Sequence, residues 1–311
     1  MRWARYAARV AVSVGAGVLL SALAPALSAA GTDTNRGFYV GVDVGVSAAT
    51  TLESTRTNFG IPTNCDQWLE PVIIEGLQLP LPADQCQPRE LPSSAIGFAL
   101  GSGVLAGINL GYSGFGPFRV EIEYFRHRRS GDKVNLVVPG DPKQREFSVR
   151  EEEIGAFRID NIFANLYYDF AAVGGMPFTP FVGVGVGTSR VAIDYSATSI
   201  RRDEAALLAL APPRHPDAAN KVSHANTNAS DHLWGFQLVV GADYTLKTGH
   251  LVTGKLRYGR AMDDFLDGGN AWRSLRGHES TVAPGGAPVH YSLSFPGPSF
   301  WAISIGFKVE L

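Results

Sequence analysis

The chain has no excess of charge of either sign. Among its 311 residues, 27 are lysine or arginine and 29 are aspartate or glutamate, so the formal net charge is -2. A protein that coats nucleic acid needs a basic surplus to neutralise phosphates, and the composition therefore argues against a nucleic-acid partner. Charged residues make up only 18% of the chain and hydrophobic residues 45%, a balance that also argues against wholesale disorder.

Apolar runs of membrane-helix length are scarce, and the first stretch that approaches this length opens the chain. Three arginines precede the apolar residues 10–24, and the small residues Ser28 and Ala30 follow at the spacing of a signal-peptidase site. The stretch is shorter than the ~20 residues of a spanning helix. We therefore expect a cleaved signal peptide at 1–30, rather than a membrane anchor, and an exported domain at 31–311.

A second uncharged stretch, 95–112, spaces Gly103, Gly107 and Gly111 four residues apart. That spacing packs transmembrane helices against one another, so a helix is the competing interpretation. The second half of the stretch alternates between apolar residues and glycine or asparagine, which is the period of a strand. An isolated helix would also leave the strand-like segments elsewhere unexplained, and we interpret the stretch as strand.

Cysteine is almost absent, with only Cys65 and Cys86 in the chain. Because export leads to an oxidising compartment, we expect these two residues to form a disulfide within one polar segment. A zinc site would need more ligands at closer spacing, and the histidines at 215, 224 and 232 are too widely spread to argue for one. We expect no metal or cofactor.

The sequence alternates with period two in eight segments. In 38–48 the even positions are apolar, whereas the odd positions are polar, glycine, tyrosine or Asp43. The segments are 38–48, 104–112, 118–124, 162–170, 182–186, 234–244, 252–258 and 301–311. Such alternation is typical of a membrane-spanning barrel, in which one face contacts lipid, but a soluble sandwich produces it too.

The connections between these segments distinguish a barrel from a sandwich. Short connections at 113–117, 171–177 and 247–250 are interleaved with long ones, and the long ones lie near 50–94, 129–155, 190–231 and 260–298. Compact soluble domains rarely carry several loops longer than ~15 residues. The spacing predicts an all-β fold, an up-and-down antiparallel transmembrane barrel of eight strands with four long extracellular loops.

Several strand motifs resemble a known family. They are GFYVG at 37–41, FRVEIE at 118–123, NLYYDF at 165–170, PFVGVG at 180–185 and the terminal strand. The chain resembles the small Gram-negative outer-membrane β-barrels of the surface-antigen and OmpA-like transmembrane type. The resemblance implies a monomeric eight-stranded barrel in the outer membrane, with outer-membrane lipid and the barrel assembly machinery as partners and no common enzymatic activity.

The C-terminus carries a candidate insertion signal. Barrels of the type that this chain resembles end in a polar residue, a glycine and two spaced hydrophobic residues, which the assembly machinery reads. Ser304, Gly306, Val309 and Leu311 fill these places. The family favours an aromatic last residue, so Leu311 departs from the pattern.

The inward face of the strands carries charges of both signs. An eight-stranded barrel is only wide enough for its own side chains, so ions inside it must pair with one another. We expect a structural ionic core, rather than a catalytic group or a pore lining, from Asp43, Arg119, Glu121, Glu123, Asp169, Asp243, Lys255, Arg257, Lys308 and Glu310.

Three patterns invite an enzymatic interpretation. His290 and Ser292 form an H-x-S pair similar to that of outer-membrane lipid A deacylases, but Ser304 stands where the expected acid would be, and a nucleophile without its orienting group is weak evidence. The pairs at 263–264 and 231–232 are similar to those of omptin-type proteases, yet neighbours in a strand point to opposite faces. We expect these residues to be solvated at the barrel rim and the protein not to be an enzyme.

Any specific function is expected in the long loops. Residues 50–94 contain Trp68 and the apolar patch 72–74, and 205–210 predict a short helix that the prolines at 212–213 end. Loops on a rigid scaffold bind partners, so we predict a surface-exposed outer-membrane scaffold whose loops bind a host or other extracellular ligand. The alternatives are an outer-membrane hydrolase and a narrow porin.

Overall fold

The computed structural model describes residues 37–49, 51–58, 94–137, 145–170, 178–210, 219–274 and 289–311. The strands are β1 Gly37–Ala49, β2 Leu52–Asn58, β3 Ser94–Phe98, β4 Gly103–Phe115, β5 Phe118–Asn135, β6 Phe147–Asp169, β7 Phe178–Arg201, β8 Val222–Thr245, β9 Leu251–Ala261, β10 Phe265–Ser274, β11 Val289–Phe295 and β12 Ser299–Glu310. One short helix, α1, spans Glu204–Leu208. Within these ranges, no helix has the length and apolar character needed to cross a membrane.

Eight strands close into a ring, which we call the lower barrel. Its order is β1, β4, β5, β6, β7, β8, β9 and β12, and β12 pairs again with β1. Every pairing is antiparallel. The predicted eight-stranded up-and-down barrel is confirmed. The helix considered for 95–112 is wrong, because 95–98 lie in β3 and 103–112 lie in β4.

The two faces of the lower barrel differ as the alternation predicts. On β1, Val42, Val44 and Val46 point outward with 54% to 63% of their surface exposed, whereas Asp43 and Ser47 point inward and are buried. The same contrast runs along β5 and β12. The outer surface of the lower barrel is therefore an apolar band, and the polar groups lie inside.

The predicted long loops are wrong in extent, because strands occupy much of them. β5 continues to Asn135 and β6 begins at Phe147, so strand fills most of 129–155. Likewise β7 continues to Arg201 and β8 begins at Val222. The stretches 50–94 and 260–298 contribute β2, β3, β10 and β11.

These additional strands extend the sheet beyond the lower barrel, at the end opposite the short turns, and we call this part the upper barrel. The far halves of β5 to β8 form one side of it, and β10, β11, β2 and β3 continue the sheet from β8. Its interior is an apolar core that includes Phe98, Ile154, Phe157, Ile193, Tyr195, Phe265, Leu293 and Phe295. The predicted short helix is present as α1. At its N-terminus the Asp203 side chain accepts a hydrogen bond from the backbone N–H of Ala206.

Candidate functional sites in the barrel interior

The lower barrel brings nearly all of the predicted inward charges together. The buried members are Asp43, Arg119, Glu121, Glu123, Asp169, Asp243, Lys255, Arg257 and Lys308. Each occupies an inward position on β1, β5, β6, β8, β9 or β12, because the period of two in each strand selects one face. Four cations thus meet five carboxylates inside one narrow barrel.

One group of ion pairs lies near the end with the short turns. Arg119 Nη1 donates to Asp243 Oδ2 at 2.7 Å, and its Nη2 lies 3.2 Å from Asp169 Oδ1. Lys308 Nζ donates to both oxygens of Asp243 at 3.0 and 3.1 Å. Thr253 Oγ1 adds a hydrogen bond at 2.5 Å, so Asp243 holds strands β5, β9 and β12 to β8.

A second group surrounds Lys255. Its ammonium lies 3.0 Å from Asp43, 3.3 Å from Glu121 and 3.4 Å from Glu123. Tyr39 and Tyr167 donate their hydroxyl hydrogens to Glu121 at 2.8 and 3.1 Å. The lysine on β9 therefore joins carboxylates from β1 and β5.

A third group continues toward the upper barrel. Arg257 Nη1 donates to Glu123 Oε1 at 2.8 Å, and Nη2 donates to Ser304 Oγ at 3.3 Å. The guanidinium stacks over the Phe125 ring, with Cζ 4.7 Å from the centroid. Gln237 donates to Glu123 at 3.1 Å. Removing one partner from such a buried pair costs more than the pair itself contributes, because the remaining charge stays out of water.

Glycines on the inner wall provide the space that these long side chains fill. A β-carbon on Gly183 would collide with the Tyr167 ring, and one on Gly41 would collide with Asn109 and Lys308. The high glycine content of the strands is therefore a packing requirement of a narrow, charged interior.

Glu310 and the candidate insertion signal are the predicted site residues that lie only partly inside the lower barrel. Glu310 is only half-buried, at the end with the short turns, whereas the other nine predicted charges are buried. Of the candidate insertion signal, Ser304 and Gly306 face inward, Leu311 is 77% exposed, and Val309 is half-buried on β12. Their reading by the assembly machinery stays a prediction.

Sequence reasoning missed a histidine and an arginine that lie together between the two barrels. His127 and Arg129 are buried on the inward face of β5, above the apolar band. Arg129 Nε and His127 Nδ1 each lie 3.4 Å from Ser47 Oγ. Burial lowers the pKa of Arg129 to about 10. Burial, and then the charges of Arg129 and Arg257, lower the pKa of His127 well below its ordinary value. Extending the odd positions of β5 past residue 124 would have identified both.

Sequence reasoning also missed a charged cavity of about 210 Å³ at the top of the upper barrel. Arg56 Nη1 lies 2.9 Å from Glu152 Oε1, and the Tyr195 hydroxyl donates to the same carboxylate. Arg150, Glu146 and Glu151 complete the charged part of the lining. Arg56 and Glu152 lie in stretches interpreted as loop, so their inward direction was hidden.

The structure places the described residues of the enzymatic alternatives in strands and turns, where the aspartates accept backbone hydrogen bonds. Ser292 lies in β11 opposite Thr57. Asp231 accepts the backbone hydrogens of His232 and Leu266 at 2.7 and 2.9 Å. Asp263 accepts that of Trp234, and Asp264 that of Gly297, at 3.3 and 3.1 Å. Asp231 and Asp263 thus tie β8 to β10 and to the turn before it, and Asp264 ties that turn to the one before β12.

Other predicted sites fall outside the described residues. Cys65 and Cys86 lie there, so their disulfide stays a prediction, and so does the signal peptide at 1–30. The apolar loop residues Trp68 and 72–74 also lie outside. Within the described ranges, no group of three or more histidine, cysteine, aspartate or glutamate side chains is arranged to hold a metal.

Comparison with solved structures finds similar barrels at low sequence identity. Neisserial surface protein A (NspA) is 14% identical with a TM-score of 0.38, and the alignment covers 90% of this chain and 100% of that one. OprG from Pseudomonas aeruginosa is 11% identical with a TM-score of 0.38, covering 89% and 97%. The Escherichia coli outer membrane protease OmpT is 10% identical with a TM-score of 0.33, covering 90% and 100%. No activity follows from a similarity at these identities and TM-scores.

Comparison with curated proteins finds no match. Comparison with family models matches residues 16–283 to the outer membrane protein beta-barrel domain. This match spans most of the sequence, and the strands close into the ring expected of such a domain. The chain belongs to the outer membrane protein beta-barrel domain family.

Proposed function

We propose that the protein is a monomeric, non-conducting outer-membrane scaffold that raises a rigid wall above the lipid for binding external partners. The observation that carries the proposal is an interior filled at two levels. Ion pairs cross the lower barrel, and aromatic and aliphatic side chains fill the upper one. A rigid barrel that is closed inside is suited to display on its outer and upper surfaces.

The first test separates a scaffold from a narrow porin. The protein is reconstituted in planar bilayers, beside a general porin as the positive control. We expect no conductance steps above the lipid baseline, because the charges of the lower barrel are paired with one another and do not line a water column. Steady single-channel steps would contradict the scaffold and favour the porin.

The charged cavity at the top of the upper barrel is the part that we propose for partner binding. Arg56 and Arg150 lie in it beside Glu146 and Glu152, a set that suits a ligand with both positive and negative groups. Arg150→Gln should weaken binding of an extracellular partner, whereas Lys247→Gln, an exposed lysine in the turn at the opposite end of the barrel, is the control. Equal binding by both variants and the parent would exclude this cavity.

The second test separates a scaffold from a hydrolase. Expression of the protein should leave the acyl chains of lipid A unchanged, and so should expression of Ser292→Ala or His290→Ala. The proposal rests on position 304, where the acid expected in such a deacylase is replaced by a buried serine that accepts a hydrogen bond from Arg257. Loss of an acyl chain with the parent, abolished by Ser292→Ala, would replace the scaffold by the hydrolase.

A further inference from the structure

The outward face of the barrel changes from apolar to strongly basic on one side. Four exposed arginines occupy outward positions shortly beyond the apolar band on three adjacent strands, and we call them the arginine patch. They are Arg126 and Arg128 on β5, Arg158 on β6 and Arg190 on β7. The side chains of Arg126 and Arg158 keep 59% and 47% of their surface exposed.

Strand register places two of these arginines side by side. Arg128 lies directly opposite Arg158 in the pairing of β5 with β6. Side chains in directly opposite positions have β-carbons about 4.5–5.5 Å apart, where like charges repel. Such a pair is expected where an anion lies between the two guanidinium groups.

The carboxylates near the patch neutralise only part of its charge. Arg126 Nε lies 2.5 Å from Asp160 Oδ1, and Arg158 Nη2 lies 3.6 Å from Asp194 Oδ1. Among the described residues, Arg128 and Arg190 form no ion pair. Two carboxylates thus face four guanidinium groups, and the patch keeps a positive surplus.

The surplus is confined to one depth and one side of the barrel. Further up the same wall, Lys133 pairs with Glu151. At the end with the short turns, the described outward residues include aromatic side chains such as Phe118 and Phe178, and no arginine. Arg260 on β9 also points outward beside the apolar band, but β8 separates it from the patch.

The depth of the patch matches that of lipid headgroups. Tyr124 and Trp234 mark the end of the apolar band, and aromatic side chains of this kind lie at membrane interfaces. Arg126 and Arg128 follow two and four residues beyond Tyr124, so about 7 and 13 Å further along a tilted strand. Polar headgroups occupy this zone.

We propose that the arginine patch binds phosphate monoesters of a glycolipid in the outer leaflet, with one phosphate held between Arg128 and Arg158. Guanidinium groups bind phosphate through two parallel hydrogen bonds. A phosphate monoester carries close to two charges and three free oxygens, enough for two arginines at once. The phosphodiester of a phospholipid carries a single charge and two free oxygens. The proposal requires only that the chain spans the outer membrane, not that it is a scaffold.

Native mass spectrometry of the micelle-folded, full-length protein tests the proposal. Diphosphoryl lipid A supplies phosphate monoesters on a glycolipid, and phosphatidylglycerol supplies a phosphodiester. We expect the parent to bind diphosphoryl lipid A at least tenfold more tightly than phosphatidylglycerol. The double variant Arg128→Gln/Arg158→Gln should lose at least tenfold of the lipid A affinity. Arg260→Gln is the matched control, an outward arginine outside the patch, and should change it less than twofold.

Unfolding in phosphate-free detergent separates binding from structure. The double variant removes both the repulsion and the exposed ion pair of Arg158 with Asp194, so it should unfold at a urea concentration close to that of the parent. If the double variant binds lipid A as the parent does, or if Arg260→Gln weakens binding equally, the proposal fails. Equal affinity for phosphatidylglycerol also overturns it, as does selective capture of soluble heparin by the patch without lipid A binding.

Discussion

Strands β5 to β8 run through both barrels, and in each barrel their inward and outward faces carry opposite kinds of side chain. On β7 the inward positions are Gly183, Gly185 and Gly187 in the lower barrel, and Val191, Ile193 and Tyr195 in the upper barrel. The outward positions change in the other direction, from Val184 and Val186 to Arg190 and Asp194. The pleat continues without interruption, so one period of two serves both levels.

The exchange of polar and apolar faces follows from the surroundings. In lipid, apolar side chains face outward and polar groups must find partners inside. In water, apolar side chains are removed from solvent and polar ones face outward. At this level each strand carries an apolar residue inward beside a polar residue outward. The neighbouring pairs are Phe125 and Arg126 on β5, Ile159 and Asp160 on β6, and Leu233 and His232 on β8. These positions mark the boundary between lipid and water.

The largest effect is expected from breaking the ionic interior of the lower barrel. Arg257→Met leaves the carboxylate of Glu123 buried without its hydrogen bond from arginine. We expect the free energy of unfolding to fall by about 3–5 kcal/mol. Urea unfolding of the protein folded in micelles measures this change. Arg158→Met, an exposed arginine of the upper wall, is the control and should cost under about 1 kcal/mol. Similar values for both would mean that the interior ions are solvated.

The outer faces of the two barrels should tolerate charge differently. Ile305→Arg places a cation on the apolar band, where it costs about 2–4 kcal/mol near the membrane midplane. Asn226→Arg places one on the exposed outer face of the upper barrel and should change stability by less than about 0.5 kcal/mol. For both variants, membrane insertion and the electrophoretic shift on heating measure whether the barrel still forms. Normal insertion of Ile305→Arg, with failure of Ser304→Leu, would exchange inside and outside on β12.

A pH dependence should arise at the boundary between the barrels. The pKa of His127 is lowered in the folded protein, so the unfolded chain takes up a proton first as the pH falls below the ordinary value of 6.5. Stability is therefore complete above that pH and declines below it, by up to about 1.4 kcal/mol per pH unit. His127→Gln should remove this slope in urea unfolding, whereas the exposed His224→Gln should retain it. If His127→Gln keeps the same slope, a group other than His127 takes up the proton on unfolding.

The smallest effect is expected from the exposed ion pairs of the boundary. Burial alone would raise the pKa of Asp160, but hydrogen bonds from Arg126 and Tyr124 hold it below its ordinary value. Asp160 therefore stabilises the fold above the ordinary carboxyl pKa, and this contribution is lost as the pH falls through the lowered one. Asp160→Asn should cost under about 1 kcal/mol at neutral pH, because the pair is partly exposed. A larger loss would make this pair part of the core.

The sequence by itself predicts the lower barrel well, because one face of each strand is in continuous contact with lipid. The apolar side of 38–48 or 301–311 therefore alternates without exception, and the inward charges can be read from the remaining positions. The upper strands were missed for the same reason. At Arg126 or Arg190 the apolar residues move to the other face, and a search for one continuing apolar face ends there.

Only the tertiary structure decides which groups meet. Lys255 contacts Asp43, 212 residues away, and β2 pairs with β11 across most of the chain. Alternation fixes the face on which a side chain lies, because the pleat is a local property of the backbone. The partner across the barrel depends on strand order, register and closure, and these are set by the packing of the whole ring.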